Sequence, residues 1–164
     1  MGQVCLLGLV KLPKMNKAEI DQLVKEQFLC RIAFQNEGAP HFAPFQYVCI
    51  DGALYFHFTD YGKKMALLDE GNLVCVEIER YTSDLSQYCF AVFVGKLCVV
   101  TDPQEKTHAI AKMVENAAAR GLSRNFLLAH GYPKDSDWSS LKADDSLVFV
   151  KLVDVSKISG LKSP

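Results

Sequence analysis

Apolar residues recur along this chain at two periods, and the change from one to the other marks out its elements. Ile20, Leu23 and Val24 repeat at the helical spacing behind Asn16. Asn16 can cap a helix, and Glu19, three residues on, completes a capping box, so a helix is expected to about Gln27. Phe28–Phe34, Pro40–Ile50, Ala53–Thr59, Leu73–Arg80, Tyr88–Val100 and Leu147–Val155 then read as strands, with Ile158–Leu161 extending the last one. Gln35-Asn36-Glu37-Gly38 makes a turn, and Asp51-Gly52 is a hairpin signal, because a type I′ turn needs positive φ at both positions. Gly95 marks a bulge in the long fifth strand. Between strands, a short helix runs from Lys63 to about Glu70 and stops at Gly71-Asn72. A longer one opens at Asp102-Pro103-Gln104-Glu105, with Asp102 as cap and Glu105 to close a box. It buries Ile110, Met113, Val114 and Ala117 and ends at Gly121. Ser123–His130 makes one more short helix. Six strands joined mostly by short connections, with helices outside them, predict a mainly β, antiparallel barrel.

Folding the Pro40–Thr59 hairpin on its two-residue turn pairs Ile50 with Ala53, Val48 with Tyr55, Gln46 with His57 and Pro44 with Thr59. Opposed residues share a face. The other face carries Phe45, Tyr47 and Cys49 against Phe58, Phe56 and Leu54, and is expected to be the barrel core. The first face turns polar at its open end, where Gln46, His57 and Thr59 gather beside Pro44, just before the loop Asp60-Tyr61-Gly62.

Composition narrows the partners. With 164 residues, 49% of them hydrophobic, the chain fits one domain, 15–164. Residues 1–14 read as an extension ahead of it that need not be ordered. Within the extension Val4–Val10 is too short to span a bilayer and has no basic residue before it, which argues against a signal peptide. A net charge of −1 supplies no field for nucleic acid or an anionic membrane. The expectation is a cytoplasmic protein. Cys5, Cys30, Cys49, Cys75, Cys89 and Cys98 include no C-x-x-C spacing and mostly sit in apolar runs, which suits free, buried thiols in a reducing compartment. His41, His57, His108 and His130 are scattered, and nothing calls for a metal.

Lys63 and Lys64 open the short helix and Asp69-Glu70 end it, both against the helix dipole. An anion at the helix start would reverse the sign for the lysines and make a phosphate cradle. Solvated surface lysines are the other reading. His57, likewise, is either a hydrogen-bonded structural residue or a functional one. Trp138, in the polar run Asp135-Ser136-Asp137-Trp138-Ser139-Ser140, either anchors its loop or, as an alternative to Tyr132, covers a pocket. Arg31 and Arg80 end strand-like runs from which they could reach such a site.

The run His57-Phe58-Thr59-Asp60-Tyr61-Gly62-Lys63-Lys64, preceded by Pro44-Phe45-Gln46-Tyr47-Val48 and Asp51-Gly52, resembles the pyridoxamine 5′-phosphate oxidase-related, FMN-binding split-barrel family. The match is nearest to its nitroimidazole-resistance-type branch. The likeness follows the order of elements from Lys17 to Leu161, and its motif spans Pro40–Leu68. It implies a six-stranded split barrel that forms a homodimer, with FMN against the outer face in the cleft between subunits. Pro44, Phe45, Gln46 and Tyr47 would run beside the ring and ribityl chain, partly through main-chain groups. His57, Phe58 and Thr59 would line the middle, with Phe58 contributing main chain only, and Gly62, Lys63 and Lys64 would hold the phosphate. Relatives that bind haem or a deazaflavin leave those as rivals to FMN, and FAD is a further, less favoured one. The segment Val153–Leu161 holds neither Arg nor His, unlike the Arg-x-His-type signature of the vitamin B6 oxidase, and this points away from oxidation of pyridoxine phosphate. The expected function is therefore an FMN-dependent oxidoreductase of a small molecule, with NADH or NADPH as donor although no G-x-G-x-x-G is present. Its rivals are a non-catalytic flavin or haem binder for storage, sensing or redox buffering, and an interaction module that has lost its ligand. His57 is the one candidate acid or base that titrates near neutral pH.

Overall fold

In the computed structural model, Asp51 and Gly52 turn the chain with φ of 50° and 82°. That is the type I′ geometry their sequence calls for. The structure describes residues 11–35, 39–59, 63–69, 71–129, 132–141 and 147–164; the expected turn at 36–38, the loop Asp60-Tyr61-Gly62 and most of the N-terminal extension lie outside these. Six strands, β1 (Leu29–Phe34), β2 (His41–Ile50), β3 (Ala53–Thr59), β4 (Leu73–Tyr81), β5 (Tyr88–Val99) and β6 (Leu147–Lys162), close a barrel in the order β1-β2-β3-β6-β5-β4. All neighbours are antiparallel.

Helices α1 (Lys17–Glu26) and α2 (Lys63–Asp69) lie at opposite ends of the barrel, because α1 feeds the start of β1 while α2 follows the end of β3. The α1 capping box is formed on both sides: Asn16 Oδ1 accepts from the Glu19 N–H at 3.0 Å, and Glu19 Oε2 accepts from the Asn16 N–H at 2.8 Å. Leu23 and Val24 of α1 and Leu67 and Leu68 of α2 join the interior cluster. Between them the barrel is filled by aromatic rings. Phe45 stacks on Phe58 with centroids 4.6 Å apart, and Phe34 stands 6.3 Å from Phe58, edge to face. Each such ring contributes on the order of 1.5–3 kcal/mol by leaving water.

Helix α3 (Pro103–Ala119) covers the outer face at the hairpin end, where Ala109, Ile110, Met113 and Ala117 meet Val48, Tyr55 and Phe149. Its Asp102 cap is as expected, accepting from the N–H groups of Gln104 and Glu105. The expected box is not closed by Glu105. Its carboxylate turns to the sheet instead, accepting from Tyr55 Oη at 2.6 Å and Lys151 Nζ at 2.7 Å, two donors that outweigh one cap N–H. A short α4 (Asn125–Ala129) and a single 3-10 turn (Trp138–Ser140) follow before β6.

β6 is one long strand paired to β3 and β5 through its first half and to β5 alone through its second. The ladder with β5 slips between Val94 and Lys96, at Gly95, but the extra residues are carried by β6 between Val153 and Lys157 and not by the fifth strand as expected. Pro13 and Met15 extend this edge: the Met15 N–H reaches Gly160 O at 2.9 Å and the Lys162 N–H reaches Pro13 O at 3.0 Å. Among the described cysteines, Cys30, Cys49, Cys75, Cys89 and Cys98 are free thiols. Cys75 and Cys98 are exposed rather than buried, because the alternation of β4 and β5 puts them on the outer face. Among the described residues, no helix is long and apolar enough to cross a membrane and no cluster of ligands fits a metal.

Candidate functional site

The β2–β3 ladder runs from Ile50↔Ala53 to Tyr47↔Phe56 and then ends. The expected pairs Gln46–His57 and Pro44–Thr59 are not part of it. From there β2 stays with β1, pairing Leu29↔Gln46 and Arg31↔Pro44, while β3 stays with β6, pairing His57↔Phe149 and Thr59↔Leu147. The barrel is therefore split on the face that carries the polar candidates. The Tyr47 N–H donates to Phe28 O at 3.0 Å, on the β1 side. Strand alternation then turns the Gln46 N–H and the Pro44 carbonyl toward the parting. A donor and an acceptor on neighbouring stretches of one edge match the alternating acceptors and N–H of a flavin ring edge, so the residues present fit that group.

Side chains sort by the same alternation. Pro44 is exposed and Gln46 half-buried on the outer face. Gln46 Nε2 is shut from solvent and has no hydrogen-bond acceptor among the described residues. His57, 7% exposed, packs its ring 5.6 Å from that of Phe149. Phe45, Tyr47 and Phe58 all point inward; Phe58 is 1% exposed, and Tyr47 Oη donates to Val24 O at 2.8 Å. These three can reach an outer ligand only through main chain, as expected for Phe58 and now also for Phe45 and Tyr47. Burial also holds the Tyr47 hydroxyl and the Cys30 thiol well above their ordinary pKa values, so neither ionises near neutrality. Thr59 ends β3, and Lys63 and Lys64 open α2, which puts the start of α2 one short loop beyond the parting. Gly62 and the side chains of Thr59, Lys63 and Lys64 lie outside the described residues.

A cleft of about 400 Å³ adjoins Gln46, lined by Phe28, Leu29, Pro44, Leu122, Ser123 and Trp138 among others. Trp138 is 8% exposed, and its Nε1 donates to Leu122 O at 3.2 Å. It is thus an anchor for its loop and a wall of the cleft at once. Leu122 arrives there through the end of α3. Gly121, at φ 59°, gives its N–H to Ala118 O, and the Leu122 N–H reaches Ala117 O at 3.0 Å, which is a Schellman motif. Arg120 lies with its guanidinium 5.0 Å over the Phe28 ring and donates to Lys25 O at 3.2 Å. Tyr132 is half-buried against the outer cluster that includes Trp138, but is not among the lining residues. Arg31 and Arg80 are committed elsewhere, Arg31 to Glu77 and Glu79 and Arg80 to Glu26.

Sequence reasoning missed Phe28 and Leu122, which line the cleft. Gly121 followed by an apolar residue was the available signal, because a Schellman turn folds that residue back onto the helix. Nothing local marked Phe28, whose meeting with Arg120 depends on the barrel closing.

The sequence profile of the pyridoxamine 5′-phosphate oxidase family matches residues 16–151. No curated protein matches the chain. Among solved structures it is similar to an FAD-binding protein from Mesorhizobium loti, at 17% identity and TM-score 0.61, over 94% of this chain and 100% of that one. It is similar also to a protein from Bacteroides thetaiotaomicron named for 5-nitroimidazole antibiotic resistance, at 20% identity and TM-score 0.64, over 93% of this chain and 87% of the other. A third is the FAD and haem binding protein of Mycobacterium smegmatis, at 15% identity and TM-score 0.60, over 90% and 71%. These similarities bear on the fold, and the six-stranded antiparallel barrel with outer helices is the one they share. Profile and fold together establish that the chain belongs to the pyridoxamine 5′-phosphate oxidase family.

Proposed function

We propose that this protein is an FMN-dependent oxidoreductase of a small molecule, working as a homodimer with the flavin held between subunits at the parting of β2 and β3. The observation that carries the reading is that parting: a closed barrel gives up strand pairing on one side and presents main-chain donors and acceptors there. Family membership and the FAD-binding neighbours support a flavin. FMN rather than FAD is favoured by the sequence Gly62-Lys63-Lys64 just beyond β3, which suits one terminal phosphate. When bound, the flavin supplies the two-electron chemistry, and the chain's part is to bind, orient and shield. Gln46 N–H and Pro44 C=O would hold the ring edge. His57, fixed between β3 and the Phe149 ring, would set the floor. NADH or NADPH is the donor in this reading.

The test is an absorption spectrum of the purified protein, with FMN added and then NADH or NADPH under nitrogen. Flavin bands that bleach support a reductase. Bands that persist leave a flavin carrier, and protein that takes up no FMN overturns the reading. Replacing Lys63 and Lys64 together by Ala is expected to weaken FMN binding at least tenfold, as loss of charge-assisted phosphate contacts does. Unchanged affinity would remove the cradle from the proposal.

A further inference from the structure

We infer that the outer face of β1, β4 and β5 is a contact between two copies of this chain, related by a two-fold axis that crosses the strands along the row of Cys75. Helices α1 and α2 close the ends of the barrel, and α3 packs on Val48, Tyr55 and Phe149 on the other side. That leaves this face without a helix among the described residues. Phe42, at its edge, and Leu73 stand 58% and 49% exposed, and Cys75 is exposed between them. An uncovered apolar patch marks an interaction surface, and the charges around this one fit a second copy of itself.

Three cross-strand rows carry the argument. The middle row is Phe42, Ala33, Cys75 and Val94, and it holds no charge. On one side of it Arg31 lies opposite Glu77, with Glu79 a row further on, and the two carboxylates share the one guanidinium. One carboxylate charge is therefore in surplus. Desolvation, and after it Glu79, holds the Glu77 carboxyl above its usual range. On the other side of the middle row Leu73 lies opposite Lys96, an exposed ammonium with no carboxylate partner among the described residues. Glu77 is level with Val92, four residues along β5 from Lys96, so the rise of a strand sets the two about 13 Å apart. They cannot meet within one chain. A two-fold axis along the middle row exchanges the outer rows, so Lys96 of each copy lies over the Glu77 row of the other and Leu73 is covered. An axis along the strands would keep each row over its own kind and bring Lys96 toward Lys96. The charges select the first. Arg31 also pairs with Pro44, so the face runs up to the parting of β2 and β3. In giving the shared flavin cleft its second wall the inference rests on the flavoprotein reading; the contact between copies does not need it.

The arrangement is tested by where a short bismaleimide joins two copies. Sheets packed face to face lie about 10 Å apart, which brings the two Cys75 thiols, both on the axis, within its span. Cys98 is exposed too, but it lies four residues along β5 from the middle row, so its two copies would stand about 26 Å apart. The Cys5→Ser chain is expected to give a covalent dimer that Cys75→Ser abolishes and Cys98→Ser leaves. Lys96→Glu should weaken association about tenfold in sedimentation, and adding Glu77→Lys should restore part of it. A thermal melt of each variant reports folding. A protein that stays monomeric, a dimer whose cross-link is indifferent to Cys75, or unchanged association in Lys96→Glu overturns the inference. FMN uptake, read from absorption bands on the same samples, separates the two readings. A dimer joined through Cys75 that takes up no FMN keeps this face and ends the flavin reading. A dimer that holds FMN but is not joined through Cys75 keeps the flavin reading and ends this one.

Discussion

A Cβ placed on Gly95 would come 2.7 Å from the carbonyl oxygen of Val153, a main-chain atom that cannot step aside. The crowding comes from the bulge, where β6 carries extra residues past β5 and bends through Asp154, held at φ 49°. Gly95→Ala is therefore expected to destabilise the fold by about 1–3 kcal/mol, read as a lower midpoint in urea with an unchanged slope. This position was readable in the chain, because a lone glycine within an otherwise apolar strand signals a bulge or a close approach. Gln46 was readable as outward-facing, but its enclosed amide nitrogen, without an acceptor among the described residues, was not. That property depends on which groups of other strands come near, and no local pattern records it. The same holds for Glu105, whose capping position is plain in the sequence while its partners, Tyr55 and Lys151, come from distant strands.

Glu105 ties an element to the sheet. The Lys151 hydrogen bond, and after it that of Tyr55, holds the Glu105 carboxyl below its usual range, and the same contact raises Lys151. A lowered acid contributes stability that is present above its unfolded pKa and lost as pH falls through its folded one; a raised base loses its share only at high pH. Between those limits the docking of α3 is intact. Glu105→Gln should then lower Tm at neutral pH, by the equivalent of about 0.2–1 kcal/mol for so exposed a pair. The gap between the two proteins should close as pH drops through the lowered carboxylate range; a gap that stays constant into acid would show that Glu105 acts by packing alone. Elements themselves were largely legible: the Asn16–Glu19 box, the Asp51-Gly52 turn, the Asp102 cap and the stripe on α3 all stand where period and capping chemistry put them. The end of the β2–β3 ladder was not. Pairing residues outward from the turn assumes a flat hairpin, and twist accumulated over two strands is what lets β2 follow β1 and β3 follow β6.

At the scale of the whole molecule, α3, α4 and the 3-10 turn gather on one side, while Leu29, Phe42 and Leu73 stand exposed on β1, β2 and β4. The shared-cleft reading of the flavin site calls for a second copy, so gel filtration is expected to give a dimer. A clean monomer that still holds FMN would contradict that reading. The order β1-β2-β3-β6-β5-β4 also governs how the chain comes off the ribosome. Synthesis delivers β3 and β5 long before the strand that must lie between them, because β6 spans Leu147–Lys162. Until that last stretch emerges, the nascent chain carries two open sheet edges and an interior of aromatic rings with no wall on one side. Such edges are templates for pairing with other chains. The vulnerable moment in this protein's life is therefore the wait for its final strand, when a chaperone has most to shield.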